Sequence, residues 1–363
     1  MSDIVFIGLG RVGSLALELF LKDLNGDRYS ITCIDAVDRS DLAEKLGAKF
    51  VKASSPSEIA RVASEASLAC IALPSIVAFR VAKEVINHGV NVVDVSFIRE
   101  DPYLLDLDAV KNNVFYVPDA GFAPGYSNLV AGFFQDKLGG ELDELIIHVG
   151  GIPVEPVPPI GYVITWNPLD LIEEYTRPAR IVLNDTIQYV DPLSIIHRVE
   201  IEGLGVFEGF YSDGLRTMLR NIKAKKMAEI TIRHPGHLQA MKLLKTLGFF
   251  QDKPVEVDGV RVEPKKLTAK LFEEKLSIKT KDIAILEVIA RKKEQTLRHL
   301  SYLIGGNGKP PATTLYTALV YAKTIDIALR NNIEPGVQPL EKLHNYKEEY
   351  EQYLGKYMKI EYK

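Results

Sequence analysis

The chain has few of the residues that mark secreted, membrane-spanning or metal-binding proteins. Among its 363 residues only Cys33 and Cys70 are cysteines, too few for a disulfide framework or a zinc site. Seven histidines show neither H-x₃-H nor HExxH spacing, so no metal is expected. No apolar run approaches the ~18 residues of a membrane span, and the first apolar run begins at Ile4, too early for a signal peptide to precede it. We therefore expect a cytoplasmic protein without a membrane partner.

The sequence also lacks a large excess of either acidic or basic residues. Lysine and arginine number 44 and aspartate and glutamate 48, which gives a formal net charge of −4. Proteins that bind a phosphate backbone concentrate a basic excess on one face, so no nucleic-acid partner is expected. With 47% hydrophobic residues and a typical domain of ~150 residues, the length predicts two or three domains with real cores.

The first third of the sequence alternates short apolar runs with segments of helical length. Predicted strands cover residues 4–7, 29–34, 49–52, 68–73, 91–95 and 114–117, and predicted helices cover 15–24, 41–46, 57–65 and 76–87. Strands that are buried on both faces have such continuous apolar runs, and the alternation is typical of a parallel α/β sheet. We expect one domain over residues 1–122.

After Pro118 the pattern predicts a second, α+β domain on a mixed sheet, over residues 123–310. Its predicted strands are 144–149, 161–166, 179–183 and 205–210, with a proline-rich, site-forming loop at 152–159. A buried helix at 313–329 lies within a segment, 311–340, that is expected to pack back on the first domain. Residues 341–363 predict a surface helix, packed on a partner subunit. A homodimer is expected because exposed sheet edges need covering.

A glycine loop opens the first predicted helix. Residues 8–13 read GLGRVG, directly after a strand, so that Gly8 permits a tight turn, Gly10 admits a pyrophosphate and Gly13 allows close helix packing. Asp35 follows at the end of the second strand, where a carboxylate binds ribose hydroxyls and repels a 2′-phosphate. NAD is therefore the expected cofactor, although Arg39 is close enough to weaken the preference over NADP. A glycine turn that binds no nucleotide is the alternative.

The cofactor site is expected to include residues after several strands of this doubly wound, Rossmann-type sheet. Ligands of such sheets bind outside the carboxyl ends of the strands. The expected cofactor-binding residues are Gly8, Gly10, Arg11, Val12, Gly13, Asp35, Leu73, Pro74 and Ser96. Pro74 also suits the first turn of a helix, and the two roles are compatible.

Five later stretches carry a family resemblance. They read DAGFAPGYSN (119–128), GGIP (150–153), DLIEEYTRPAR (170–180), SDGLRT (212–217) and TIRHPGH (231–237). In this order they resemble the saccharopine dehydrogenase superfamily, most closely its lysine 6-dehydrogenase branch. The chain departs from the family pattern after residue 250, where a glycine is missing from residues 313–318, and at His234, which replaces an aromatic residue.

The resemblance implies NAD-dependent oxidative deamination of the ε-amine of L-lysine to allysine, which cyclises to piperideine-6-carboxylate, and ammonia. A reductive enzyme of the saccharopine or carboxynorspermidine type is the alternative in the same reaction class. Outside that class, the alternative is a non-catalytic NAD-binding sensor.

This chemistry needs a cation for the α-carboxylate and groups that hold the rest of the amino acid. Arg216 and Arg233 are the candidates for the carboxylate, with a buried structural ion pair as the alternative for each. Asp213 is expected either to bind the α-ammonium or to cap a following helix. The remaining candidates for the substrate pocket are Tyr175, Tyr211 and Thr217.

The amine must also lose a proton, because a free ε-ammonium has a pKa of ~10.4. The sequence leaves four candidate proton acceptors, Asp119, Glu173, His234 and His237, and does not choose among them. Glu173 is equally compatible with a salt-bridged helix end beside Arg177, and His237 with a structural histidine.

Overall fold

A computed structural model describes residues 3–164 and 167–363, which form two compact units. The first unit runs from the first described residue to Phe133 and includes Arg216–Asn221 and Thr314–Tyr357. The second unit consists of Phe134–Leu215, Ile222–Thr313 and Met358–Lys363. The chain therefore returns to the first unit twice after leaving it.

The strands and helices have the following bounds over the described residues. The strands are β1 (Ile4–Ile7), β2 (Ile31–Asp35), β3 (Lys49–Lys52), β4 (Leu68–Ile71), β5 (Asn91–Asp94), β6 (Phe115–Val117), β7 (Leu142–Pro153), β8 (Ala179–Leu183), β9 (Thr186–Val190), β10 (His197–Ile201), β11 (Gly205–Ser212), β12 (Ala224–Arg233), β13 (Val255–Val257), β14 (Val260–Val262), β15 (Asp282–Lys292), β16 (Gln295–Gly305), β17 (Gly336–Val337) and β18 (Lys359–Tyr362). The α-helices are α1 (Arg11–Asp23), α2 (Ser40–Lys45), α3 (Pro56–Ala63), α4 (Ser75–Asn87), α5 (Asp106–Lys111), α6 (Tyr126–Lys137), α7 (Pro168–Thr176), α8 (Met218–Asn221), α9 (His237–Thr246), α10 (Pro264–Leu276), α11 (Ala312–Arg330) and α12 (Lys347–Leu354). Short 3₁₀ helices cover Gly26–Arg28, Pro102–Leu105 and Leu340–Tyr346.

The first unit contains a seven-stranded parallel sheet in the order β17-β6-β5-β4-β1-β2-β3. Strand β1 lies in its middle, with Ile4 opposite both Ile31 of β2 and Leu68 of β4. All four residues of β1 and of β4 are buried, as expected for strands covered on both faces. The order reverses beside β1, as in a doubly wound sheet, and this confirms the predicted Rossmann-type fold.

The second unit is built on a nine-stranded mixed sheet, which confirms the second part of the predicted fold class. Its main path is β10-β11-β12-β7-β15-β16-β18, with β8 on β12 and β9 on β8. The pair β12–β7 is parallel, and the other described pairs are antiparallel.

Strand β12 is the strand of this sheet that carries the most unusual buried residues. Because side chains alternate along a strand, Glu229, Thr231 and Arg233 share one face. In the register with β11, Ser212 lies opposite Glu229. All four residues are buried. One face of the sheet therefore carries a row of buried polar groups.

The structure differs from the sequence prediction in the second half of the chain. The strand predicted at 161–166 is absent over residues 161–164, which form a turn and irregular chain, and Thr165 and Trp166 lie outside the described residues. The loop predicted from residue 152 begins later, because β7 continues to Pro153 in pairing with β15. Strands β15 and β16, which were not predicted from the sequence, form a long hairpin.

The C-terminal segment is not a surface helix. Leu340–Tyr346 is a 3₁₀ helix, α12 follows, and β18 then pairs with β16. Tyr350 and Leu354 are fully buried, and the Tyr350 hydroxyl lies 2.7 Å from the Thr324 hydroxyl of α11. The apolar stripe that suggested a partner subunit is therefore covered within the first unit itself.

The described residues show neither a membrane-spanning helix nor a metal-binding cluster. No helix among them is long and apolar enough to cross a membrane. No group of three or more histidine, cysteine, aspartate or glutamate side chains in the same ranges is placed to hold a metal ion.

Candidate active site

The glycine loop of the first unit is shaped by close backbone contacts. Gly8 has a φ of +95°, and a Cβ there would lie 2.3 Å from the carbonyl oxygen of Ala72. A Cβ on Gly13 would lie 2.0 Å from the carbonyl oxygen of Gly8. A Cβ on Gly10, in contrast, meets no atom of the described residues within 4 Å. Gly8 and Gly13 therefore fix the turn, and the open side of the loop is at Gly10.

The start of α1 suits an anion. Gly10 occupies the N-cap position of α1 and provides no side-chain cap. The first turn of the helix begins with Arg11 and Val12 and contains no acidic residue. Unpaired N–H groups and the positive end of a helix dipole bind phosphate groups at such a position. With the space at Gly10, these features fit the pyrophosphate of a dinucleotide.

Asp35 lies beside this loop, at the end of β2. Its Oδ2 accepts a hydrogen bond from the backbone N–H of Leu9 at 2.8 Å, and its Oδ1 accepts one from Val37 at 2.9 Å. The carboxylate is thereby fixed next to the turn that would hold the pyrophosphate, where a ribose would follow. Arg39 is exposed nearby.

A buried aspartate, Asp94, joins the ends of β4 and β5. Ser96 Oγ accepts a hydrogen bond from Leu73 N at 3.0 Å, and the Ser96 N–H donates to Asp94 Oδ1 at 2.7 Å. The Tyr116 hydroxyl donates to the other oxygen, Oδ2, at 3.2 Å. Burial raises the pKa of Asp94 to about 7. This network fixes the loop that leads through Pro74 into α4.

Asp119 and Arg216, predicted as a base and as a substrate clamp, are paired with each other in the first unit. Arg216 donates from Nε to Asp119 Oδ2 at 3.1 Å and from Nη2 to Oδ1 at 3.2 Å. Its Nη1 donates to the carbonyl of Ile98, and its guanidinium lies over the Phe97 ring. The two side chains are 3% and 2% exposed. The geometry is that of the structural ion pair which the sequence left open.

Thr217 also belongs to the first unit. The Asn128 side chain donates to Thr217 Oγ1 at 3.3 Å and to Glu341 Oε2 at 3.1 Å. The Asn221 amide donates to the other oxygen of Glu341 at 2.8 Å. Thr217 is therefore part of a buried hydrogen-bond network that ties the segment Arg216–Asn221 to its unit.

In the second unit, Arg233 is the centre of a buried cluster. Its Nη2 donates to Glu174 Oε2 at 2.7 Å and its Nε donates to the Tyr175 hydroxyl at 3.2 Å. The guanidinium lies between two rings, with its central carbon 4.8 Å from the centroid of Tyr162 and 5.5 Å from that of Phe210. This sequence-predicted residue is thus held rigidly.

His237 is hydrogen-bonded through both ring nitrogens. Nδ1 lies 2.9 Å from the carbonyl of Ile160, which can only accept, so Nδ1 carries the proton. Nε2 then accepts from the Tyr175 hydroxyl at 2.8 Å. Burial, and next the charge of Arg233, lower the pKa of His237 to about 3. A neutral imidazole whose acceptor nitrogen is occupied is a poor proton acceptor. His234 Nε2 likewise lies 2.7 Å from the carbonyl of Pro153.

Two further acids are in ion pairs. Glu173 pairs with Lys265. Asp213 accepts two bonds from the Arg180 guanidinium, from Nε at 2.7 Å and from Nη2 at 3.0 Å. The same carboxylate also accepts from the Arg180 backbone N–H, so both of its oxygens are bound by Arg180 rather than by a helix N-terminus.

Tyr211 lies apart from this cluster. In the register of β11 on β12 it stands opposite Ile230, so it lies on the other face of the sheet from Glu229. It packs edge-on against His197, with ring centroids 4.6 Å apart. The neighbouring Phe210 instead reaches Tyr175, at 5.0 Å. The one-residue difference decides the face, so Tyr211, predicted for the substrate pocket, lies on the other face of the sheet from Arg233.

Glu229 is the acidic group that the sequence analysis missed. Its Oε1 accepts from Ser212 Oγ at 2.8 Å, and Ser212 Oγ accepts from Thr231 Oγ1 at 2.8 Å. Its Oε2 is buried and has no hydrogen-bond partner among the described residues. Burial raises the pKa of Glu229 to about 8, and the charges of Glu174 and Asp213 contribute to the rise. One signal was available, since Glu229 precedes Thr231 and Arg233 at strand spacing.

Two family models match the chain. The model described as the saccharopine dehydrogenase NADP binding domain matches residues 4–117. The model described as the saccharopine dehydrogenase C-terminal domain matches residues 121–360.

The chain is also similar to named proteins over part of its length. The mitochondrial alpha-aminoadipic semialdehyde synthase of Bos taurus is 23% identical over 270 residues, which cover 68% of this chain and 28% of the relative. The saccharopine dehydrogenase (NADP(+), L-glutamate-forming) of Saccharomyces cerevisiae is 20% identical over 272 residues, covering 70% and 60%. The chain thus spans less than two thirds of either relative.

A solved structure shows the same fold. Apo saccharopine dehydrogenase (L-Glu forming) from Saccharomyces cerevisiae matches with a TM-score of 0.79 and 17% identity, over 100% of both chains. The match covers both units of the chain.

Proposed function

The chain belongs to the saccharopine dehydrogenase family, and from that premise we propose that it is an amino-acid dehydrogenase which oxidatively deaminates the ε-amine of L-lysine. The products are allysine, which cyclises to piperideine-6-carboxylate, and ammonia. A bound pyridine nucleotide supplies the hydride acceptor. The observation that carries the choice of lysine is the charge inventory of the second unit.

In that inventory the guanidinium groups near the buried row already have carboxylate partners. Arg233 is bound to Glu174, and Arg180 to Asp213. Three acids of this unit, Glu208, Glu229 and Asp282, each have a buried oxygen with no hydrogen-bond partner among the described residues. Lysine brings one carboxylate and two amino groups, whereas saccharopine brings three carboxylates, which need more cations. A site with a spare acceptor therefore favours the amine-rich substrate.

Three residues of the second unit are proposed to bind the substrate. Arg233, although paired with Glu174, is proposed to bind the α-carboxylate with the two of its five N–H groups that make no hydrogen bond to the described residues. Asp213 binds the α-ammonium, and Tyr175 packs along the aliphatic chain. The saccharopine reaction is the second candidate, because both named relatives and the solved structure bear names from that chemistry.

The proposed cofactor is NAD. Gly8, Gly10, Arg11, Val12 and Gly13 would hold the pyrophosphate, with Leu73, Pro74 and Ser96 at the neighbouring strand ends. The Asp35 carboxylate, fixed by Leu9 N and Val37 N, would bind ribose hydroxyls and repel a 2′-phosphate. The matching family model is described as an NADP binding domain, so NADP is the alternative cofactor.

The test is a substrate and cofactor panel with the purified protein. L-Lysine with NAD should give NADH and ammonia, with kcat/KM for NAD at least about tenfold above that for NADP, a difference of ~1.4 kcal/mol. Asp35→Ser should narrow that ratio, and it should also lower the melting temperature, because Leu9 N and Val37 N lose their acceptors. Faster oxidation of saccharopine than of lysine would overturn the choice of substrate. Binding of NAD without turnover of any amine would indicate a sensor.

A further inference from the structure

The proposed reaction needs a proton acceptor, and the four residues predicted for that role are engaged elsewhere. Asp119 is bound through both oxygens to Arg216 in the first unit. Glu173 is paired with Lys265. His237 is hydrogen-bonded through both nitrogens, and His234 is bound to a backbone carbonyl. A group with an unengaged acceptor atom suits the role better.

Glu229 has the geometry that these residues lack. It is 4% exposed, and one oxygen is held by the hydroxyl chain of Ser212 and Thr231. The second oxygen has no partner within the part of the chain that the structure describes. The carboxyl is pressed against Gly214, where a Cβ would lie 1.8 Å from Oε1. One oxygen of the carboxyl is thus held by a hydrogen bond, and the other acceptor atom is unused.

We propose that Glu229 accepts the proton of the substrate's ε-ammonium group through Oε2, an inference that rests on the proposed function. The N–H bond breaks and an O–H bond forms, which leaves a neutral amine with a free electron pair. The C–H bond at the ε-carbon then breaks, its two electrons reduce the nucleotide, and a C=N bond forms. Water adds to that bond, the nitrogen leaves as ammonium, and one proton is released overall.

The charges around Glu229 suit this role. Glu174 of α7 and Asp213 after β11 face it and disfavour its ionised form, and Ser212 of β11 favours that form. Arg233, on the same face of β12, is paired with Glu174. An arriving ammonium offsets the repulsion from the two acids. A carboxyl with a pKa of about 8 is close to the pKa that suits proton transfer near neutral pH.

The kinetic test uses Glu229→Gln, which keeps the size of the side chain and an oxygen for the Ser212 hydroxyl. Loss of a general base lowers rates by about 10²–10⁴-fold, so kcat should fall about 100-fold or more, with a smaller change in KM. The rise of kcat/KM toward alkaline pH, centred near pH 8 in the wild type, should disappear. Glu229→Asp retains a carboxyl and should recover about tenfold of the lost rate.

The matched control is Glu200→Gln in β10 of the same sheet, which removes an exposed carboxylate paired with Arg198. Its rate should stay within about twofold of the wild type, as expected for an exposed pair. A Glu229→Gln variant with wild-type kcat and an unchanged pH profile would overturn the proposal. A wild type that oxidises no amine would instead overturn the proposed function, and this inference with it.

A second measurement does not depend on turnover. Folding raises the pKa of Glu229, so the folded protein binds its proton more tightly than the unfolded chain does. The stability gained from this proton is fully present below the pKa of the unfolded chain and is lost as the pH rises through about 8. Between about pH 5 and pH 8, the melting temperature of the wild type should therefore fall more than that of Glu229→Gln. Binding of lysine to the wild type should also increase proton release at pH 7. Parallel melting curves for the two proteins would contradict the proposed titration.

Discussion

An arginine–aspartate pair with two parallel hydrogen bonds occurs in both units, in different surroundings. In the first unit the side chains of Arg216 and Asp119 are 3% and 2% exposed. In the second unit those of Arg180 and Asp213 are 28% and 11% exposed. The bonds are of similar length, 3.1 and 3.2 Å against 2.7 and 3.0 Å.

The difference in exposure separates two uses of one ion pair. A buried pair cannot exchange a partner, because the charge left behind has no access to water. A partly exposed pair retains that access, so a ligand can displace one partner. The first pair is thus suited to hold the segment Arg216–Asn221 in its unit, and the second to meet an amino acid.

The sharpest way to test this contrast is to remove one partner from each pair. Arg216→Met should lower the free energy of unfolding by about 3–5 kcal/mol, because Asp119 is left charged and buried. Arg180→Met, the matched control, should cost about 1 kcal/mol. Chemical denaturation of both variants measures the two losses.

A second-site change checks the cause. Asp119→Asn combined with Arg216→Met removes the uncompensated charge, and asparagine tolerates the positive φ of 52° at that position. The double variant should recover about half of the loss or more. Equal losses in Arg216→Met and Arg180→Met would contradict the distinction between the pairs.

The sequence predicted the fold of the first unit well because its signals are local. The first 35 residues contain short apolar runs, the glycine loop, and Asp35 at the end of β2. The geometry of the backbone at the first turn of such a sheet dictates each of these features. The C-terminal part of this unit was harder, because the apolar stripe around Tyr350 looks the same whether its own unit or a partner covers it.

The candidate site was less predictable because register brings it together. Asp119 and Arg216 are 97 positions apart, and no pattern in the sequence pairs them. Glu229 acquires its character from Ser212 on the next strand and from burial, neither of which is local. Tyr211 and Phe210 are neighbours, and which of the two faces the cluster depends on a register of one residue.

The glycines of the two units allow a second test of the comparison. Gly13→Ala places a Cβ against backbone, the carbonyl oxygen of Gly8, which cannot move without changing the turn. We expect a loss of about 3 kcal/mol in the free energy of unfolding, at the upper end for overpacking, and loss of NAD binding by calorimetry. Gly10→Ala, the control, should keep the melting temperature and weaken NAD binding alone, since its Cβ meets nothing within 4 Å among the described residues.

The smallest expected effect is at Gly214 in the second unit. A Cβ there meets the end of a side chain, the Glu229 carboxyl, at 1.8 Å, so a rotation of that side chain relieves part of the overlap. Gly214→Ala should therefore cost about 1–2 kcal/mol, less than Gly13→Ala. Glu229→Asp, which withdraws the carboxyl by one methylene, should restore about half of this loss in the double variant. If the losses in the free energy of unfolding are strictly additive, the methyl group at residue 214 and the Glu229 carboxyl do not compete for the same space. The contrast between backbone contact at Gly13 and side-chain contact at Gly214 would then fail.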